Sequence, residues 1–299
     1  MLKQTFLLFT AGMLLAACSQ RSPANLEVNM DDLDIGELQI SPETMDDIIE
    51  NIASPIEVAA LISGLNVPYS SRYLADPESL SSGASSFEMA FSLGALSADL
   101  GYLNMYGKTG TALNILSCIN RLAGALQLGR YFDLAIFNHL AATGSDPDSL
   151  MFISVDSFNK MEASLREDGQ SSLGALMLTG VWIEGLYLAT QVAEENSDED
   201  LRLMIGEQKL ILSDLLLILN NYKGDEAISR YISDLESIKS VYAGVKITYE
   251  VGQPQTVEKD DTLMVVQSES SHVNMSDETL YKIIEITEQI RNMHLNIKA

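Results

Sequence analysis

Two long stretches of this chain are almost free of charged side chains, and they constrain the fold more than any other feature. They cover residues 90–106 and 171–193, and both have the length of a complete helix. A helix that is apolar on every side is stable in water only when other elements cover every side. The two stretches therefore predict a pair of central helices in an all-α helical bundle.

A membrane-spanning alternative exists for both stretches, because each approaches the length that a bilayer requires. Each stretch, however, contains glycine, serine or threonine and one acidic residue, Asp99 in the first and Glu184 in the second. Both also lie between acidic amphipathic segments. This context favours buried core helices over transmembrane helices.

Helix start signals recur along the rest of the chain. A capping residue followed by proline occurs at Ser41, Ser54, Asp76 and Asp146, and proline is favoured at the first position of a helix. Apolar residues at helical spacing follow these starts. The predicted helices cover residues 42–52, 56–65, 85–106, 111–128, 131–142, 146–167, 171–195, 199–222, 225–243 and 276–296.

The second apolar stretch resembles the first at an offset of 85 residues. In this alignment Asp99 falls on Glu184 and Tyr102 falls on Tyr187. The flanking helices also match in number and kind, which is typical of two similar helical units packed face to face around the apolar helices. The two units would cover residues 41–143 and 144–243 within one domain, 41–299.

Strand-like alternation appears only near the C-terminal end. Residues 245–251 and 262–266 are rich in valine and threonine and alternate between apolar and polar side chains. They predict a small β-hairpin, 245–266, whose strands pair across residues 252–261. An isolated two-stranded ribbon is marginally stable, so this hairpin needs support from other elements.

The N-terminal residues have the features of an export signal. Residues 1–17 contain one basic side chain, Lys3, and an apolar run that is too short to span a bilayer. The next feature, Leu-Ala-Ala-Cys at residues 15–18, resembles the lipobox of bacterial prolipoproteins, in which the cysteine thiol takes up diacylglycerol. The sequence therefore predicts a lipidated Cys18. The alternative is an ordinary secretory signal with an incidental cysteine.

Residues 18–40 are polar and acidic and lack a sustained helical period, so they predict a flexible tether. A random coil of about 20 residues has an r.m.s. reach on the order of 25 Å. An aspartate directly after the lipidated cysteine resembles an inner-membrane retention signal, but this chain has Ser19 at that position. The residues after Ser19 also lack the acidic run of surface-export signals. We therefore expect attachment to the outer membrane through the lipid, with the body facing the periplasm and the cell surface as the alternative.

The net charge and the cysteine and histidine usage exclude several classes of function. A formal charge of −24 repels phosphate backbones, which argues against nucleic acid as a partner. Cys118 lies in an apolar helical run and has no disulfide partner once Cys18 is lipidated, so it is interpreted as a buried hydrophobe rather than a nucleophile assisted by His139. The three histidines lack metal-ligand spacing, and we expect neither a metal nor a cofactor.

Three motifs resemble a family of helical lipoproteins of Bacteroidota. They are Leu-Gly-x-x-x-Ala-Asp-Leu-x-Tyr at residues 93–102, Gly-x-Trp-Ile-Glu-x-Leu-Tyr-Leu-Ala at residues 180–189 and Glu-Gln-Lys at residues 207–209. The resemblance extends over roughly residues 42–295. That family has no established activity, so the resemblance implies a fold and a location and carries over no catalytic residues.

The two apolar stretches also hold the candidate site. Asp99 and Tyr102 are three residues apart on one helix, as are Glu184 and Tyr187 on the other, so each pair shares a face. If both helices are central, the four polar groups converge and could bind a small ligand or a cation. The alternative is that each carboxylate bonds to a neighbouring helix, because an unpaired buried charge is too costly to persist.

Trp182, the only tryptophan, is either a core residue or a stacking platform for a ligand. Two functions are consistent with these patterns. The first is a non-enzymatic, lipid-anchored binding or scaffold module with an envelope protein as its partner. The alternative is a small-ligand-binding or hydrolytic protein with a polar site between the two central helices, which a deep polar pocket would favour and a fully packed contact would not.

Overall fold

The computed structural model describes most of the chain after residue 66 and a few residues before it. The described residues are 25–27, 62, 64, 65, 67–80, 84–143, 147–251, 255–259, 262–266 and 269–297. The predicted signal peptide, Cys18, most of the predicted tether and the predicted helix at 42–52 lie outside them, as does almost all of the one at 56–65. The chain forms two compact units, a helical unit (residues 28–247 and 272–299) and a sheet unit (residues 1–27 and 248–271).

The fold is all-α with a small β-hairpin near the C-terminal end, as the sequence predicts. Eight α-helices occur in the described part of the chain, and short 3-10 helices form at Ser71–Tyr73 and Gly129–Tyr131. The α-helices are α1 (Ser86–Met105), α2 (Thr109–Ala125), α3 (Leu134–Thr143), α4 (Pro147–Glu167), α5 (Ser171–Glu195), α6 (Glu199–Asn220), α7 (Glu226–Tyr242) and α8 (Asp277–His294).

Local capping fixes where several helices begin. At α1 the Ser85 hydroxyl accepts a hydrogen bond from the backbone N–H of Glu88, and the Glu88 carboxylate accepts one from the backbone N–H of Ser85. Asp198, Asp225 and Ser276 cap α6, α7 and α8 through their side-chain oxygens. Such caps satisfy N–H groups that have no partner within the helix. The predicted bounds of these helices are therefore correct to within a few residues.

Helices α1 and α5 pack against each other at the centre of the helical unit. In α5 every residue from Leu173 to Thr190 is buried. By length and composition α5 could cross a membrane, but its most apolar window is 100% buried inside the protein, as in the core helix of a soluble domain. The prediction of two apolar helices at the centre is confirmed.

Two glycines allow the backbones of α1 and α5 to touch. A Cβ atom built on Gly94 would lie 1.9 Å from the carbonyl oxygen of Met177, and one built on Gly180 would lie 2.0 Å from that of Phe91. The two contacts are equivalent: Gly180 lies 86 residues after Gly94, and Met177 lies 86 residues after Phe91. The contact between the two central helices is thus close to two-fold symmetric. Its offset of 86 residues differs by one from the offset of 85 in the sequence repeat.

The strands of the sheet unit belong to two small sheets. These strands are β1 (Asn25–Glu27), β2 (Lys246–Val251, which begins in the helical unit), β3 (Gln255–Lys259), β4 (Thr262–Val266) and β5 (Glu269–Asn274, which ends in the helical unit). One sheet has the order β1-β2-β5, and β3 and β4 form a two-stranded hairpin. In the first sheet Asn25 lies opposite Glu250 and Glu27 lies opposite Thr248.

The strand pairing differs from the prediction in two respects. The sequence pairs residues 245–251 with 262–266, whereas the structure pairs 262–266 with 255–259, because only residues 260 and 261 separate those two strands. A short connection costs less loop-closure entropy than the ten-residue connection that was predicted. In addition, residues 25–27 of the predicted tether form a strand, whose backbone is fixed by β2 rather than by any local pattern.

Candidate functional site

Asp99 of α1 and Glu184 of α5 meet in the centre of the helical unit. Both side chains are 0% exposed, and the charge of Glu184 acts on the carboxyl group of Asp99. Arg291, in the last turn of α8, approaches Glu184 with two parallel bonds. Its Nε lies 2.9 Å from one carboxylate oxygen and its Nη2 lies 2.7 Å from the other. We call Asp99, Glu184 and Arg291 the buried charge cluster.

The surrounding groups make further contacts with the cluster. Arg291 Nη2 also donates to the carbonyl oxygen of Tyr73 at 3.2 Å, and its guanidinium lies 4.2 Å from the ring centroid of Tyr187. The second oxygen of Asp99, Oδ2, accepts the backbone N–H of Ala75 at 2.9 Å. The cluster thereby joins α1, α5, α8 and the segment that precedes α1.

Burial sets the protonation of the cluster. Burial and the negative charge of Glu184 together raise the pKa of Asp99 well above its ordinary value, despite the opposing effect of Arg291. The Oδ1 atom of Asp99 is buried and has no hydrogen-bond partner in the structure, so a charge on this carboxyl group would be poorly compensated. A protonated Asp99 is neutral, which leaves Glu184 and Arg291 as one negative and one positive charge that compensate each other.

The protonation of Asp99 makes stability depend on pH. The pKa of Asp99 is raised in the folded state, so the proton bound to Asp99 contributes to the free energy of unfolding. This contribution is fully present below the unfolded pKa of 3.8 and is lost as the pH rises through the pKa of the folded state. Asn resembles the protonated carboxyl group. In urea unfolding between about pH 5 and pH 7, Asp99→Asn should therefore gain stability relative to wild type by up to about 1.4 kcal/mol per pH unit.

Glu278→Gln is the matched acid-to-amide control for this experiment. The hydrogen bond from Lys282 lowers the pKa of Glu278, so its contribution is present above the unfolded pKa of 4.5 and is lost only as the pH falls below that value. The difference between this variant and wild type should stay flat over the same pH range. An equally flat difference for Asp99→Asn would show that Asp99 is already ionised in the folded protein.

Tyr102 does not join the other three polar residues that were predicted to converge. Asp99, Glu184 and Tyr187 come together around Arg291, and burial raises the pKa of Tyr187 to about 12, so its phenol stays neutral. The Tyr102 hydroxyl instead accepts the backbone N–H of Ser70 at 3.0 Å. Its ring is in direct contact with three other tyrosine rings, at centroid distances of 4.9–6.5 Å. These rings belong to Tyr69, Tyr73 and Tyr106.

Trp182 is placed in the core. Its side chain is 4% exposed, and its indole Nε1 donates to the side-chain oxygen of Gln208 on α6 at 2.9 Å. A buried indole N–H needs such a partner, and the glutamine supplies it. The geometry is that of a satisfied core residue rather than of an exposed stacking surface.

The structure also gives the hydrogen-bond partners of Lys209 and Cys118. Lys209, in the Glu-Gln-Lys motif, donates to the carbonyl oxygen of Val245 at 3.0 Å. Cys118 is 4% exposed, and burial raises the pKa of its thiol even though Arg121 donates a hydrogen bond to the sulfur. A protonated, buried thiol is a poor nucleophile.

Arg291 was not predicted from the sequence, although a signal for it is present. In the predicted C-terminal helix Arg291 follows Ile284 and Thr287 at helical spacing, so it lies on the face that also carries the apolar residues. A cation on the buried face of a helix requires an anionic partner, and the two central carboxylates were the available candidates. Reading the two observations together would have predicted the pair.

A second contact secures the same turn of α8. The ring of His294 lies 4.2 Å from that of Tyr231, and its Nε2 lies 2.9 Å from a carboxylate oxygen of Asp234 on α7. Burial lowers the pKa of His294, although Asp234 opposes the shift. The last turn of α8 is therefore held to α5 through Arg291 and to α7 through His294.

No group of three or more histidine, cysteine or acidic side chains is placed to hold a metal ion within the described residues. Comparison of the chain with known protein families, with curated proteins and with solved structures found no match. The function is therefore inferred from the residues themselves.

Proposed function

We propose that this chain is a lipid-anchored lipoprotein of the outer membrane, with its body facing the periplasm, and that it acts as a non-enzymatic binding or scaffold module. The anchor part of the proposal is supported by Leu-Ala-Ala-Cys at residues 15–18 after a short apolar run. Several acyl chains on one cysteine give an anchor much stronger than a single chain does. The motif resemblance to helical lipoproteins of Bacteroidota supports the same location.

One observation carries the non-enzymatic part. Both acidic side chains at the centre of the protein are fully buried, and the cation that pairs with Glu184 comes from the chain itself. A catalytic or ligand-binding acid must instead meet its substrate with at least one free position. The cluster is therefore used to join helices, and partners would be met on the protein's outer surface.

The alternative, a small-ligand-binding or hydrolytic protein, is supported by one feature. The raised pKa of Asp99 is of the kind that clusters at functional sites. Thermal shift of the protein against a panel of metals and metabolites separates the two functions. Saturable stabilisation that Glu184→Gln abolishes would favour the ligand site, whereas no stabilisation, together with capture of a specific envelope protein, supports the scaffold.

The anchor is tested by metabolic labelling with palmitate. Wild type should incorporate the label and fractionate with the envelope, and Cys18→Ser should do neither. The matched control is Cys118→Ser, which changes the other cysteine and should keep both properties, because that thiol lies in the core. A wild-type protein that takes up no palmitate would refute the anchor.

A further inference from the structure

His294 is the most buried of the three histidines of this chain. Its side chain is 12% exposed, whereas His139 and His272 lie on the surface. The imidazole ring stacks on Tyr231 of α7 at a centroid distance of 4.2 Å and contacts Phe91 of α1 at 5.1 Å. Two aromatic rings from two other helices therefore shield the imidazole from water.

A polar contact of the same ring joins α8 to α7. His294 Nε2 lies 2.9 Å from a carboxylate oxygen of Asp234. The other charged groups that face the ring are Arg230 of α7 and Glu88 of α1. The Glu88 carboxylate already accepts hydrogen bonds from the backbone N–H and the hydroxyl group of Ser85. A charged imidazole would therefore depend on Asp234 for its compensation.

The third helix packed against α8 adds no further acid for this ring. The buried acidic residue that α5 places against α8 is Glu184, and Arg291 already compensates it. Burial lowers the pKa of His294 below its ordinary value of 6.5, and this effect outweighs the opposing charges of Asp234 and Glu88. A ring that is held in the folded turn thus binds a proton less readily than a ring that is released into water.

We propose that His294 is an acid-sensitive latch, whose protonation detaches the last turn of α8 from α7. A charged ring regains its hydration only when it leaves its contacts with Tyr231 and Phe91. Because the released ring binds the proton more tightly, the equilibrium shifts toward release as the pH falls below 6.5. This conformational device goes beyond the proposed function and does not depend on the lipid anchor.

Three backbone amides report on whether this turn is closed. The N–H of Leu295 donates to the carbonyl oxygen of Arg291 at 3.0 Å, and the N–H groups of the next two residues donate to Met293 at 3.3 Å and to Asn292 at 2.9 Å. The Leu295 side chain is 0% exposed, so the turn is anchored in the core when it is closed. Hydrogen exchange at residues 295–297 therefore measures how often the turn opens.

The test compares amide exchange in full-length wild type and His294→Gln between about pH 7.5 and about pH 5.5, after correction for the intrinsic pH dependence of exchange. Glutamine keeps an N–H donor for Asp234 but cannot take up a proton. Protection of residues 295–297 in wild type, relative to that in His294→Gln, should fall by up to about tenfold per pH unit below 6.5. This ratio isolates His294, because the other titrating groups, including Asp99, are present in both proteins.

His272→Gln is the matched control, since it makes the same change at an exposed histidine. It should keep the pH-dependent loss of protection that wild type shows. A ratio of wild-type to His294→Gln protection that stays constant with pH would overturn the proposal.

Direct titration of the ring covers the case in which His294→Gln fails to fold. The ring resonances of wild type are assigned with His139→Gln and His272→Gln, which leaves His294. Its midpoint should lie below 6.5, and protection of residues 295–297 in wild type should fall over the same pH range. A midpoint at or above 6.5 would show that the folded turn holds the proton, which contradicts an acid-sensitive latch.

Discussion

Arg291→Met should lower the free energy of unfolding by about 3–5 kcal/mol, because removing one partner of a buried ion pair leaves the other charge unpaired. Arg291 is the cation that compensates Glu184, and both side chains are almost completely buried, with 3% and 0% of their surface exposed. The change also removes the donor to the carbonyl oxygen of Tyr73. Urea unfolding at neutral pH, followed by circular dichroism, measures the loss.

Lys160→Met is the matched control for this variant. Lys160 forms an ion pair of similar length with Asp156, at 2.6 Å, but both side chains are largely exposed. Water already stabilises exposed charges, so such pairs contribute little, and the control should stay within about 0.5 kcal/mol of wild type. Equal losses in the two variants would show that burial gives the Arg291 pair no special importance.

Gly94→Ala should be the most damaging small substitution on the central helices. Its added Cβ would lie 1.9 Å from the carbonyl oxygen of Met177, and that obstacle is backbone rather than a movable side chain. Overpacking a core costs about 1–3 kcal/mol, and the loss here should reach the upper end because α1 and α5 must separate. Thermal or urea unfolding measures the effect, and Gly180→Ala should behave in the same way.

The control for the central glycines is Gly124→Ala on α2. A Cβ at that position meets nothing within 4 Å, and the residue is exposed. Alanine in a helix is favoured over glycine by roughly 0.5–1 kcal/mol, so this variant should be slightly more stable than wild type. A loss at Gly124 as large as that at Gly94 would contradict the close approach of the two backbones.

The helices were predictable because their signals are local. The apolar stretch that begins at Ser171, with breakers on both sides, gives the bounds of α5 as the structure has them. The strands were less predictable, since the pairing of short strands depends on which segments meet in space. Residues 255–259 have a polar pattern that resembles a connection, yet the short link to residue 262 makes them the partner of β4.

The candidate site was predicted in part. The repeat placed Asp99 and Glu184 on two helices that touch, and the structure brings them together. Tyr102 was predicted at the same site, but its hydroxyl accepts the backbone N–H of Ser70, 32 residues earlier in the chain, and no local pattern predicts that contact. Arg291 was missed because its partner is 107 residues away in the chain, so the pair is predicted only when the buried face of the last helix and the central carboxylates are considered together.

The central claim is that the buried charges compensate one another and hold the helices together, and a double-mutant cycle of Glu184 and Arg291 tests it most directly. Combining Glu184→Gln with Arg291→Met removes both charges, so the double variant should be more stable than Arg291→Met alone, with an interaction energy of at least about 1 kcal/mol. Losses that simply add in the double variant would contradict the claim.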